Sequence, residues 1–171
     1  MAARSRPRAR FLRLVAYRVG QAMSGSFGRL DPGTAAAAVA TLPPNLRPLF
    51  MSMRRRDQRH AIGVLRRVGA APEVLRQAAL LHDVGKVQAY LGTPGRTLVV
   101  LAGVTGMTGL IQRLPGIGPR LEHYTRHPQL GAEMLRAAGA SEELVEIVAE
   151  HQVKHPRRAE TRLLQEADGG E

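Results

Sequence analysis

The stretch Leu80-Leu81-His82-Asp83-Val84-Gly85-Lys86 sets an imidazole and a carboxylate side by side at the end of an apolar run, followed by a glycine and a lysine. The residues leading into it have helical spacing. At about 100° per residue, Val74, Leu75, Ala78 and Ala79 share a face with His82, and Arg76 and Gln77 fall on the other side. The spacing predicts a helix opened by Pro72 and ending near Gly85, with His82 aimed into the core and Asp83 beside it. Burying such a pair is costly unless something compensates it. A divalent metal is one such partner. The alternative is a core histidine satisfied by an ordinary hydrogen bond, next to an aspartate at a helix end.

Composition narrows the fold class. The chain has 171 residues, no Trp, few aromatic residues and no Cys. Ala and Leu are abundant and β-branched alternation is nearly absent, which favours an all-α helical bundle. Without cysteine there are no disulfides and no thiolate ligands, so any metal is held by His, carboxylate or water. The formal net charge is +11. A surplus of that sign suits an anionic partner, whether a phosphorylated small molecule, a nucleic acid or an acidic surface. Leu98 to Ile111 is uncharged, but Gly103, Gly106 and Gly109 interrupt it, and it is shorter than the roughly 20 residues that span a bilayer. It reads as a buried helix or helical hairpin, not a transmembrane segment. No secretory signal is visible at the N-terminus, so a cytoplasmic location is expected.

In chain order, Met1 to Arg10 is an arginine-rich arm, and Phe11 to Val19 is a basic amphipathic helix that more often simply packs one face and solvates the other, with nucleic acid or anionic lipid as the alternative partners. Gln21 to Arg29 reads as a linker. Asp31-Pro32 starts a helix that runs through the alanine block and stops before Pro43-Pro44. A short helix with Leu46, Leu49, Phe50 and Met53 on one side follows. The expected organisation is a basic arm and helix over residues 1–30, a helical lead-in over 31–53, and the chemistry-bearing domain over 54–171.

A helix starting near Arg54 puts His60 at the edge of the face formed by Ala61, Val64, Leu65 and Val68, and Gly69 ends it. Asp57 in its first turn reads as an ordinary helix-start acid or as a carboxylate orienting His60. Gly92 to Gly95 is a turn cluster, and Pro115 to Pro119 is another irregular segment. His127 caps a helix with Pro128 in its first turn, in line with Gly131, Met134, Leu135 and Ala138. Ser141 caps the next, where Leu144, Ile147, Val148 and His151 share a face. A last helix over 159–167 leads to Asp168, on the side of Leu164. His155, beside Pro156, reads as a loop residue, and His123 as a surface residue or one that supports a ligand from behind.

Several separate helices therefore each align a His or an Asp with apolar residues. As independent core residues, each would need its own hydrogen-bond partner. Converged, they need one centre. Imidazole and carboxylate suit Mn, Fe, Co, Ni or Zn, and Mg less well. That many side chains suit two ions about 3.5–4 Å apart with Asp83 between them.

At these residues the sequence resembles the HD superfamily of metal-dependent phosphohydrolases, and in particular its bacterial branch with a His-Asp-Ile-Gly signature. The likeness lies in Asp57-Gln58-Arg59-His60, Leu81-His82-Asp83-Val84-Gly85-Lys86, His127-Pro128 with Gly131-Ala132-Glu133, and Glu166-Ala167-Asp168. It spans about residues 50–168. The resemblance implies a buried site for one or two divalent metal ions. His60, His82, Asp83 and Asp168 would hold the first, and His127 and His151 a second, bridged by Asp83. A metal-activated water would hydrolyse a nucleotide or other small phosphate ester, with Asp83 and Lys86 as catalytic groups and Lys86 neutralising phosphate charge. For Lys86 the alternative is a solvent-exposed cation at a helix C-terminus. The Gly-Tyr-Pro signature of the cyclic-dinucleotide branch is missing, and Gln152 stands where that branch often has a further His. Two other functions stay open: an HD module that binds a nucleotide or a signalling partner without turnover, and a basic nucleic-acid-binding protein.

Overall fold

The computed structural model describes residues 31–89 and 118–169. The readings for the N-terminal arm and helix, the linker, the turn at residues 92–95, the apolar stretch 98–111 and residues 115–117 fall outside them. The chain divides into two compact units, residues 29–90 with 122–171, and residues 1–28 with 91–121. Only the first is described at length. It is all-α, with no strand among the described residues. No helix among these residues is long and apolar enough to cross a membrane.

Helix α1 (Pro32–Ala40) starts as its sequence demands. The Asp31 carboxylate accepts from the Thr34 N–H at 2.7 Å, and Pro32 occupies the first turn, where a missing N–H costs nothing. Helix α2 (Arg47–Ser52) buries Phe50. Two carbonyls at its C-terminal end are met by Gln58, whose amide donates to Phe50 O at 3.0 Å, beside the Met53 N–H, and to Met51 O at 3.4 Å. Helix α3 (Arg55–Val68) buries Ala61, Ile62 and Val64 and carries Arg66 and Arg67 in its last turn, where the dipole favours cations. Gly69 then turns the chain at φ 59°.

Helix α4 (Glu73–Leu81) is capped by Pro72, which lies one position outside the helix. It is shorter than the sequence pattern suggests. It stops at Leu81, and after His82 and Asp83 the chain tightens into a 3₁₀ helix, Val84–Ala89. Helix α5 (Gly118–Thr125) takes Gly118 and Pro119 into its first turn, so that part of the segment read as irregular is helical. Arg126 breaks it from α6 (His127–Ala137), in which His127 is the first helical residue and not the cap. The end of α6 is a Schellman motif: Gly139 N–H bonds Arg136 O and Ala140 N–H bonds Leu135 O, both at 3.0 Å, with Gly139 at φ 74°. Helix α7 (Glu142–Glu150) is capped by the Ser141 hydroxyl on Leu144 N–H, and α8 (Ala159–Gly169) extends two residues beyond the expected end.

One hydrophobic core joins these helices, with Phe50, Leu75, Leu80, Leu81, Leu135, Leu144, Ile147 and Leu164 fully or almost fully buried. Residues of the lead-in, Ala38, Leu42, Leu46 and Met53, belong to the same core. Helix α6 packs on α7 and on the 3₁₀ helix, α3 packs on α4, and α8 lies against α3, α4 and α7. The tightest approach is at Gly85. A Cβ there would overlap the His127 carbonyl oxygen and crowd the Gly131 amide nitrogen, both rigid backbone atoms. Gly131 is the answering small residue, with Gly85 N, Val84 and Val148 all within 3.4 Å of where its Cβ would be. Two glycines thus let the start of α6 press against the segment that carries Asp83. We expect Gly85→Ala to destabilise the protein by about 2–3 kcal/mol, as overpacking against backbone does. By contrast, Gly63→Ala in the interior of α3, where the nearest atom is the mobile end of Arg67 at 3.6 Å, should stabilise it by up to about 1 kcal/mol. Urea denaturation of the two variants measures both signs.

Candidate metal centre

Three of the candidate ligands occupy the same local position: the residue at or just past the C-terminal end of a helix. His82 follows α4, His127 follows α5 and His151 follows α7. Carbonyls at such ends lack intrahelical partners. Each histidine supplies one. The Nδ1 of His82 donates to Ala79 O at 3.1 Å, that of His127 to Tyr124 O at 2.7 Å, and that of His151 to Val148 O at 2.7 Å. A carbonyl can only accept, so in each ring the proton sits on Nδ1 and the Nε2 lone pair points the other way. All three rings are buried.

The Nε2 atoms converge on Asp83, in the turn after α4. Its two carboxylate oxygens face different neighbours. Oδ1 lies 3.3 Å from His127 Nε2 and 3.9 Å from His151 Nε2. Oδ2 lies 3.6 Å from His82 Nε2 and 4.0 Å from His60 Nε2. Two groups with metal-ligand spacing result, His60 with His82 and Asp83, and His127 with His151 and Asp83. Asp168 joins the first from the last turn of α8, with Oδ1 2.7 Å from His60 Nε2 and 3.5 Å from His82 Nε2. It is helical, and Arg67 of α3 donates to the neighbouring Ala167 carbonyl and holds that end of α8 in place. The sequence-predicted ligands His60, His82, Asp83, His127, His151 and Asp168 are therefore brought together in one place. His123 and His155 are exposed, as is Gln152.

Apart from the Lys86 ammonium on Asp83, the cluster presents lone pairs and carboxylates. His127 Nε2 and His151 Nε2 stand 3.2 Å apart, yet both rings have already given their proton to a backbone carbonyl, so the contact is lone pair against lone pair. His82 Nε2 is buried with no hydrogen-bond partner and faces two carboxylates. Burial beside the His82 and His127 rings depresses the His151 pKa to about 3, so its lone pair stays available. Burial would also push His82 down, but the facing carboxylates of Asp83 and Asp168 outweigh it and raise the pKa. A divalent cation at either group would satisfy these donors, and the nitrogen–oxygen set with no sulfur suits the first-row ions named above.

Lys86 is not the solvent-exposed lysine that one reading allowed. Its side chain is 15% exposed and its Nζ lies 2.5 Å from Asp83 Oδ2. In a 3₁₀ helix, side chains three apart eclipse, which drops Lys86 onto Asp83. Burial works against both charges. Even so, the Lys86 ammonium and then His82 hold the Asp83 carboxyl well below its ordinary range, and Asp83 in turn keeps Lys86 raised. The Tyr124 ring lies 5.8 Å from the ammonium, and the charge of Asp57 adds to the field on it. Asp57 lies in the first turn of α3, as the sequence suggested, and it is buried there. Sequence reasoning missed Tyr124 and Gln165. Tyr124 had a local signal, three residues before His127 and so one helical turn from it, whereas Gln165, which bonds the His151 and Val153 carbonyls, had none.

A family model described as HD domain matches residues 58–169, well over half of the chain. No curated protein and no solved structure matches it.

If the cluster is a metal site, a divalent ion that binds only the folded chain stabilises it, by about 2.7 kcal/mol at a hundredfold excess over Kd. Mn²⁺ or Zn²⁺ should therefore raise the thermal midpoint of the protein and a chelator should lower it. His82→Ala should remove most of that metal-dependent difference, as read by differential scanning calorimetry with and without metal.

Proposed function

The chain belongs to the HD domain family, and on that premise we propose that it is a metal-dependent phosphohydrolase acting on a nucleotide or another small phosphate ester in the cytoplasm. The observation that carries this reading is the division of Asp83, one oxygen toward His60 and His82 and the other toward His127 and His151. His60, His82, Asp83 and Asp168 would hold one ion, and Asp83, His127 and His151 another. Bound divalent cations supply an acidified water nucleophile near neutral pH and positive charge for the phosphoryl oxygens.

The rest of the work falls to the chain itself. The Nδ1–carbonyl bonds fix the tautomers of His82, His127 and His151, so these three imidazoles need not lose a proton or rotate before they can act as ligands, whereas His60 would give up its Nε2 contact with Asp168. Lys86 fixes Asp83 and brings an ammonium to the centre, where it would neutralise charge gathering on the substrate phosphate. His60 and Asp168, with side chains 35% and 33% exposed, form the open edge of the group, and the other ligands are buried. Substrate would approach over that edge. The site-bearing domain would be residues 54–171, preceded by the lead-in and the basic arm.

The test is a turnover screen. With Mn²⁺ or Co²⁺ the protein should hydrolyse bis(p-nitrophenyl) phosphate or p-nitrophenyl phosphate, and a panel of nucleotides then defines the substrate. Asp83→Ala and His82→Ala should abolish the activity. Lys86→Ala should lower kcat by about 10²–10³-fold, as loss of one charge-stabilising donor does, while metal stays bound. Metal and nucleotide binding with no hydrolysis of any ester would instead favour the binding-only module. Nucleic-acid binding that disappears on deletion of residues 1–20 and ignores Asp83 would favour the third reading.

A further inference from the structure

Helix α7 ends at Glu150, and the carbonyls that follow have no partners within the helix. Two of them are met from outside by a single group. The Gln165 side-chain amide, on α8, donates to His151 O at 3.0 Å and to Val153 O at 2.9 Å. An amide NH₂ has two hydrogens and the site offers two acceptors, so the match is complete. The His151 ring is oriented from α7, by the Nδ1 bond to Val148 O, while its backbone is held from α8. One turn further along α8, Asp168 reaches His60 and His82. A rigid helix thus touches both metal-ligand groups, one through a carboxylate and the other through the backbone of a ligand.

We propose that Gln165 is a positioning residue that sets His151 relative to Asp168, and with it the spacing between the two ion positions. This rests on the two-ion reading of the centre. Glu in its place offers no donor and sets an anionic oxygen against two carbonyls. Met keeps the length but offers no hydrogen. Asn keeps the donors but is one methylene short.

The structure contains its own control. Gln58 makes the same paired bonds to the Phe50 and Met51 carbonyls at the end of α2, which carries none of the candidate ligands. A purely structural role for Gln165 would make the two glutamines equivalent. The experiment is Mn²⁺ binding by the full chain, followed by equilibrium dialysis and electron paramagnetic resonance. The unaltered chain should take two ions. Gln165→Met should weaken the ion at His127 and His151 by about tenfold or more, the usual effect of losing a partner that orients a ligand, and leave the other within about twofold. Gln165→Asn, a milder change that retains the amide, should weaken the same ion by less. Gln58→Met, two residues before His60 on α3, should lower the thermal midpoint without altering the affinity of the ion at His127 and His151. In a His151→Ala background the effect of Gln165→Met on metal affinity should vanish, because the pair acts as a unit.

Unchanged affinities in the folded Gln165 variants, or an equal loss in Gln58→Met, overturn the inference and leave the metal centre standing. Fewer than two ions on the unaltered chain overturns the inference together with the two-ion reading.

Discussion

The structure depends on how helices end. A helix C-terminus leaves carbonyls unpaired, and burying them without partners is costly. In this protein α4, α5 and α7 each end beside a buried histidine that donates from Nδ1 to the carbonyl three residues back. That bond completes the helix and fixes the tautomer in one step. The Nε2 lone pair is then forced outward from the helix end, and three helix ends aim their lone pairs at the same aspartate. The same contacts that solve a folding problem create an electrostatic one, buried imidazole lone pairs beside two carboxylates, which a divalent cation would resolve.

The approach of these ends is permitted by small residues. Gly85 lies where the start of α6 passes over the 3₁₀ helix, and nothing larger fits against the His127 carbonyl. Without that contact His127 would stand away from Asp83, and the second group of ligands would not close. Gln165 and Arg67 do the corresponding work at the other side, Gln165 holding the turn after α7 and Arg67 the end of α8. The centre is therefore held by backbone carbonyls and their donors around it as much as by its own side chains.

Much of this was legible in the sequence because helical period decides which way a side chain points. His82, His127 and His151 each lie in phase with apolar neighbours, and each is buried. What periodicity could not supply was the helix boundary. The pattern through Val74 to Leu81 continues smoothly into His82 and Asp83, so an α-helix through them looks natural. The chain instead changes to 3₁₀ geometry, and that change brings Lys86 onto Asp83. Asp57 was illegible for a different reason. A first-turn acid is so often a surface residue that nothing local distinguishes the buried one, whose surroundings are set by residues far away in sequence. Gln165 was missed because a glutamine bonding two carbonyls leaves no periodic trace.

The distribution of charge follows from the same geometry. The chain carries a formal surplus of +11, yet the centre holds Asp83, with Asp57 buried and Asp168 only partly exposed, against the ammonium of Lys86. Many arginines stay outside, several tied to glutamates of α7, such as Arg136 on Glu142 and Arg158 on Glu146. An arginine inserted at the centre would satisfy the carboxylates but would fill the position that the imidazole lone pairs also need. Keeping most cations on the periphery leaves a surface field that attracts anions and an interior where Lys86 is set against the carboxylates of Asp83, Asp57 and Asp168. On the proposed function the first would draw a phosphate ester and the second would take a divalent metal, which makes a basic chain and an acidic centre compatible in one molecule.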